Sequence, residues 1–117
     1  MEELRKLESR KQEWLKLHKE LTDRMHQITI AKNADYTGST DDPFANFRRV
    51  EAMGITTTEV GFLTRMLDKM SRIASFTQNE ELLVKDESVE DTLLDLANYS
   101  LLFIGYLNDR KSLNERL

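Results

Sequence analysis

Three carboxylates stand four residues apart in Glu87-Ser88-Val89-Glu90-Asp91-Thr92-Leu93-Leu94-Asp95-Leu96-Ala97-Asn98-Tyr99: Glu87, Asp91 and Asp95. On a helix this spacing stacks them along one side over two turns. Like charges so placed repel and weaken an isolated helix. A divalent cation bound through oxygen would offset that cost. Mg²⁺, or Mn²⁺ in its place, suits a site that shares the ion with phosphate oxygens. Such an ion polarises a phosphoryl group and lowers the pKa of an attacking water, which Glu87 or Asp91 would orient. Neutralisation by basic side chains is the other way to offset the repulsion. For Glu87 and Asp91 the spacing favours metal; for Asp95 the two readings stand open. Asp95 and Asn98 fall in the most apolar stretch of the chain, where an unpaired carboxylate is expensive.

The bases that could face these acids lie one helix earlier. Projected at about 100° per residue, positions 57–77 separate into two faces. Leu63, Met66, Leu67, Met70, Ile73 and Ala74 form the apolar one, and Gly61, Arg65, Asp68, Lys69 and Arg72 the other. Arg65, Lys69 and Arg72 would meet phosphate charge, with Asp68 as a further metal ligand. The plainer reading is a solvated face with internal pairs, since Arg65–Asp68 and Asp68–Arg72 have the spacing for them. Gly61 costs helix stability and would permit a close approach.

The elements that must position these residues read as helices. Residues 2 to about 31 form one long helix, with Leu7, Trp14, Leu21 and Ile28 recurring every seven residues and Leu4, Lys11, His18 and Met25 between them. The helix is longer than a small bundle needs, so part of it is expected at a subunit interface. Residues 32–43 concentrate Asn, Asp, Gly, Ser and Pro and read as a loop. Asp42-Pro43 would open a short helix over 43–53, and Gly54 would end it. Thr56 with Glu59 would cap a helix over 57–77. Asp86 would cap the last helix over 87–109. The fold class expected is all-α: one domain over 1–117, a bundle of about four helices.

Composition sets outer bounds. The chain has 117 residues, 32% of them charged, a net charge of −4 and no cysteine. Disulfides, thiol nucleophiles and thiolate zinc sites are thereby excluded. The acidic balance speaks against binding extended nucleic acid. No apolar run is long enough for a membrane span, and Met1-Glu2-Glu3-Leu4-Arg5-Lys6 leads into a charged helix, so a cytoplasmic location is expected. His18 and His26 lack partners at zinc-ligand spacing, and no glycine-rich phosphate loop is present. Trp14 reads as a core or interface anchor.

Taken in order, Lys32-Asn33-Ala34-Asp35-Tyr36, Phe44-Ala45-Asn46-Phe47, Gly61 with Arg65-Met66-Leu67-Asp68-Lys69-Met70-Ser71-Arg72, and the block 87–99 resemble the nucleotide modification associated domain family of bacteria and phages. That family is placed near the MazG-like, all-α nucleoside triphosphate pyrophosphohydrolases. The resemblance spans roughly residues 26 to 105. It implies a helical bundle, a nucleotide ligand, Mg²⁺, a homo-oligomer (dimer or tetramer) and a bacterial or phage-infected cytoplasm. It also implies hydrolysis of a nucleoside triphosphate, modified or not, to monophosphate and pyrophosphate. The MazG pattern supplies Glu-x-x-Glu from one helix and Glu-x-x-Asp from the next. Here the earlier helix offers Asp68 amid Arg65, Lys69 and Arg72, and the last helix has Glu-x-x-x-Asp-x-x-x-Asp spacing. Among residues matching the family blocks, Lys32 would contact phosphate, and Asn33, Asp35 or Asn46 would hydrogen-bond a base or sugar. For Tyr36, stacking on a base and packing stand equal; Phe44 and Phe47 at helical spacing read as core. Two other functions fit the same residues: a non-catalytic nucleotide-binding protein, and a helical interaction module whose acids are neutralised internally.

Overall fold

The computed structural model describes the backbone of residues 1–37, 41–79 and 88–116, and the side chains of all of these except 34–37 and 116. Four helices follow one another: α1 (Glu2–Thr37), α2 (Ala45–Ala52), α3 (Thr58–Asn79) and α4 (Val89–Arg116). No strand occurs among the described residues. The fold is the all-α bundle that the sequence predicts, with a long N-terminal helix.

Helix α1 runs past the expected stop near residue 31 and ends at Thr37. Asn33 and Asp35 are weaker helix formers than alanine by only fractions of a kcal/mol each, and neither glycine nor proline intervenes before Gly38. Tertiary contact outweighs so small a preference. Lys32 therefore reaches α4 from a helix rather than from a loop, donating to Asp95 at 3.1 Å.

The caps differ in detail from the expected ones. The Asp42 carboxylate accepts the Phe44 N–H at 2.9 Å, and its carbonyl accepts the Ala45 N–H at 3.2 Å. Asp42 thus closes a turn, and α2 starts two residues later than predicted. Gly54, at φ 74°, ends α2 as expected; left-handed backbone of this kind favours glycine. The cap of α3 is Thr57, whose hydroxyl accepts the Val60 N–H at 3.2 Å, rather than Thr56. Glu59 is not spent on a capping box, because it pairs with Tyr106 and Arg110 on α4. For α4, the Ser88 hydroxyl accepts the Asp91 N–H at 3.0 Å; the expected cap Asp86 lies outside the described residues.

The core is an aromatic stack. Phe44, Phe47, Phe62 and Tyr106 are buried, with Tyr99, Leu102 and Phe103 against them. Phe47 and Phe62 stack with centroids 4.0 Å apart, and Phe62 meets Phe103 at 4.8 Å. Phe44 and Phe47 are core residues, as predicted. The direction in which α3 faces the core is different. Its buried line runs through Thr58 and Phe62, whereas Leu63, Leu67 and Met70 of the predicted apolar face are half-exposed. The large rings dominate burial and turn the helix toward them. Gly61 allows the close approach expected of it: a Cβ there would lie 2.9 Å from a Val50 methyl. Residues 1–20 of α1 are exposed throughout, so Leu4, Leu7 and Trp14 lie outside this core.

Candidate functional site

The carboxylates of α4 meet basic side chains from two sides. From α1, Arg24 reaches Glu90 at 2.6 Å and Asp91 at 2.5 Å. Asp95 lies one turn further along and deeper, with its side chain 17% exposed. Lys32 of α1 donates to one of its oxygens at 3.1 Å, and Lys69 of α3 approaches the other at 3.0 Å. Lys69 is itself only 12% exposed. Burial alone would raise the Asp95 carboxyl, but hydrogen bonds from Lys69 and Lys32, with their charges, outweigh it and hold the group below the ordinary aspartate range.

Beside this triad a cleft opens between α1, the start of α2 and α4. Its inner end is narrow and apolar, walled by Phe47, Tyr99, Leu102 and Pro43. Asn33, Asn98, Thr29, Lys32 and Asp95 supply its polar edge. Thr29, Asn33, Pro43, Asn98 and Leu102 also line an adjoining groove of about 520 Å³ that runs past Met25, His26 and Phe44. That volume lies within the range of small-molecule sites. The Asn98 amide is buried and anchored to the Met25 carbonyl at 3.4 Å.

The structure therefore brings Lys32, Asn33, Lys69, Asp91, Asp95 and Asn98 to one region of the bundle. Other candidates lie apart from it. Asp68 is exposed and pairs with Arg72 within α3 at 3.4 Å. Arg65 is exposed on α3, and Asn46 is half-buried on α2; neither lines the cleft. Glu87 and the side chains of Asp35 and Tyr36 lie outside the described residues. Arg24 and Glu90 were not anticipated. A signal existed, because Arg24, Ile28 and Lys32 repeat on α1 the four-residue step of the acids on α4.

The donor set bears on what a cation would find. No three acidic or histidine side chains among the described residues are grouped closely enough to hold a metal ion. Asp91 and Asp95 remain, one turn apart. One or two carboxylates completed by water and phosphate oxygens is how magnesium is commonly held. Among the described residues a cation would find these two carboxylates, each already paired with a basic side chain.

Residues 32–105 match the pattern of the nucleotide modification associated domain 1 family. The chain belongs to that family. The match begins at Lys32, takes in α2 and α3 whole, and ends at Gly105, so it covers the aromatic core except Tyr106 and most of the narrow inner end of the cleft. The family region leaves out Arg24 and the exposed first half of α1. No curated protein and no solved structure matches the chain. No described helix is long and apolar enough to cross a membrane.

Proposed function

We propose that this protein binds a nucleotide in the cleft between α1 and α4. One observation carries the reading: two lysines from different helices converge on the partly buried Asp95 at the polar edge of a pocket with aromatic walls. Tyr99 and Leu102 offer a base an apolar surface, and the amides of Asn33 and Asn98 offer it donors and acceptors. The Lys32 and Lys69 ammonium groups and the Arg24 guanidinium supply positive charge for phosphate. Asp35 and Tyr36, whose side chains lie outside the described residues, stay candidates for contact with the ligand, whereas Asn46, Arg65 and Arg72 do not line the cleft and are left out of the proposed set.

The ion pairs define the resting state. A nucleotide bringing phosphate charge competes with Asp91 and Asp95 for the basic groups, and the acids so released would be left uncompensated. A divalent cation arriving with the phosphates removes that cost. Each carboxylate then exchanges an ammonium or guanidinium partner for the ion, and each basic group exchanges a carboxylate for phosphate. Mg²⁺, or Mn²⁺, is accordingly the proposed cofactor, with Asp91 and Asp95 as its candidate ligands and Glu87, which lies outside the described residues, as a further one; Asp68, paired with Arg72 on the exposed side of α3, is left out.

The same exchange supports a catalytic extension, a MazG-like pyrophosphohydrolase releasing pyrophosphate from a nucleoside triphosphate in the cytoplasm of a bacterial or phage-infected cell. Magnesium, when bound, would supply phosphoryl polarisation and an activated water. Arg24, Lys32 and Lys69 would hold the phosphates, and Asp91 or Glu87 would orient the water.

Incubation with a panel of nucleoside triphosphates, with and without Mg²⁺, separates binding from turnover. Binding strengthened by Mg²⁺ is expected, and Lys32→Ala should weaken it about tenfold or more, as for loss of one charge-assisted hydrogen bond. Pyrophosphate release would establish the catalytic extension. Stable binding without product would leave a nucleotide-capturing protein. No binding of any triphosphate would overturn the proposal.

A further inference from the structure

Asn98 holds a polar atom that none of the described residues uses. The residue is 9% exposed, and it lines both the narrow inner end of the cleft and the adjoining groove. A carbonyl only accepts, so the Met25 carbonyl 3.4 Å away fixes the amide with its nitrogen toward α1. That leaves the amide oxygen open to the cleft, and no donor among the described residues reaches it. Turning the amide over would set its oxygen against the Met25 carbonyl. A nearly buried side-chain oxygen without a donor is uncommon in a folded protein, and here it points to one brought by a ligand.

The place of Asn98 on α4 says which part of a ligand it meets. Asp91, Asp95, Asn98, Leu102 and Gly105 follow at steps of three and four residues. They therefore form one stripe about 80° wide along the helix. The chemistry changes in order along it. Asp91 and Asp95, with Arg24, Lys32 and Lys69 about them, make the charged end. Asn98 follows, neutral, about 4.5 Å further along the axis than Asp95. Leu102 and Gly105 come last, in the groove of about 520 Å³, and no Asp, Glu, Lys or Arg lines that groove among the described residues. A nucleotide has the same order of parts: charged phosphates, a sugar bearing hydroxyls, then an uncharged base.

We infer that the Asn98 amide oxygen accepts a hydrogen bond from a sugar hydroxyl of the nucleotide. The phosphates then lie toward Lys32 and Lys69, and the base lies along the groove toward Leu102 and Gly105. This rests on nucleotide binding in the cleft and adds the direction of the ligand and the residue that reads its sugar. An ionised phosphate has no proton to offer the Asn98 oxygen, whereas a hydroxyl donates to it readily. A ligand without sugar hydroxyls leaves that oxygen unpaired in a closed site, which is how a polar pocket rejects an analogue lacking the group it is built to bind.

Calorimetric titration of the full chain, with Mg²⁺, tests the inference. The ligands are the four common nucleoside triphosphates, their 2′,3′-dideoxy counterparts and inorganic triphosphate. Each dideoxy form should bind about tenfold more weakly than its parent nucleotide. Inorganic triphosphate, with neither sugar nor base, should bind more weakly still. Asn98→Leu should bind the parent and dideoxy forms alike, at the weaker affinity. The comparison of ligands on the unaltered chain decides the matter even if Asn98→Leu fails to fold. Equal binding of parent and dideoxy forms overturns the inference and leaves nucleotide binding standing. Inorganic triphosphate bound as tightly as the dideoxy forms overturns the placement of the base. No binding of any triphosphate removes the nucleotide reading itself, and this inference with it.

Discussion

Asp95 is the residue on which the site turns. Its carboxylate accepts from α1 and α3 at once, tying three helices together through one partly buried charge. Because its folded pKa is depressed, the stability it supplies is complete above the ordinary aspartate value, about 3.9, and lost as pH falls through the lower folded value. Thermal unfolding followed from pH 6 downward should therefore show an acid-limb loss that Asp95→Asn reduces. An identical acid limb in the variant would contradict this role. Asp95→Ala should cost about 1–3 kcal/mol by urea unfolding, since the pairs that tie α4 to Lys32 of α1 and Lys69 of α3 are lost together. The acid ladder was legible in the sequence because its step is local and regular. Its partners were only half legible: Lys69 lies on the neighbouring helix of the predicted pair, whereas Arg24 comes from more than sixty residues away, where spacing within a segment carries no information.

At the scale of elements, helix type and order were readable from periodicity and caps, while facing was not. Leu63, Leu67 and Met70 make a textually clear apolar stripe on α3, yet Phe62 decides which way the helix turns, because a stack of rings buries more area than aliphatic neighbours can. Local propensity ends α1 near residue 31, because Asn33 and Asp35 favour loops, and the contact from Lys32 to α4 accompanies the helix's continuation to Thr37. Gly61 makes the close approach to α2 that a glycine inside a helix implies. Gly61→Ala should destabilise by about 1–3 kcal/mol, the clash with Val50 outweighing the gain in helix propensity. Urea denaturation measures it, and a more stable variant would show that α2 yields freely. Ser88→Ala should cost about 1 kcal/mol through loss of the α4 cap. An unchanged urea midpoint would show that the cap carries no weight.

The whole molecule is more extended than its length requires. Its radius of gyration is 18.3 Å. About 13 Å is usual for a compact domain of 117 residues. The 36-residue α1 reaches well beyond the aromatic core, and residues 1–20 touch little of it. Removing residues 2–18 should therefore leave the urea midpoint of the remaining bundle nearly unchanged; a large drop would show that the first half of α1 is covered in the assembly. The cleft lies on the side of the α3–α4 layer that α1 and α2 cover, opposite the exposed apolar face of Leu63, Leu67 and Ile104. The most direct test of the central claim is a nuclear magnetic resonance titration of the side-chain amides of Asn33 and Asn98 with nucleoside triphosphates and Mg²⁺. Both signals should shift with one common affinity, and Lys32→Ala should weaken that affinity about tenfold. Amide signals that stay fixed at millimolar triphosphate would contradict nucleotide binding in the cleft.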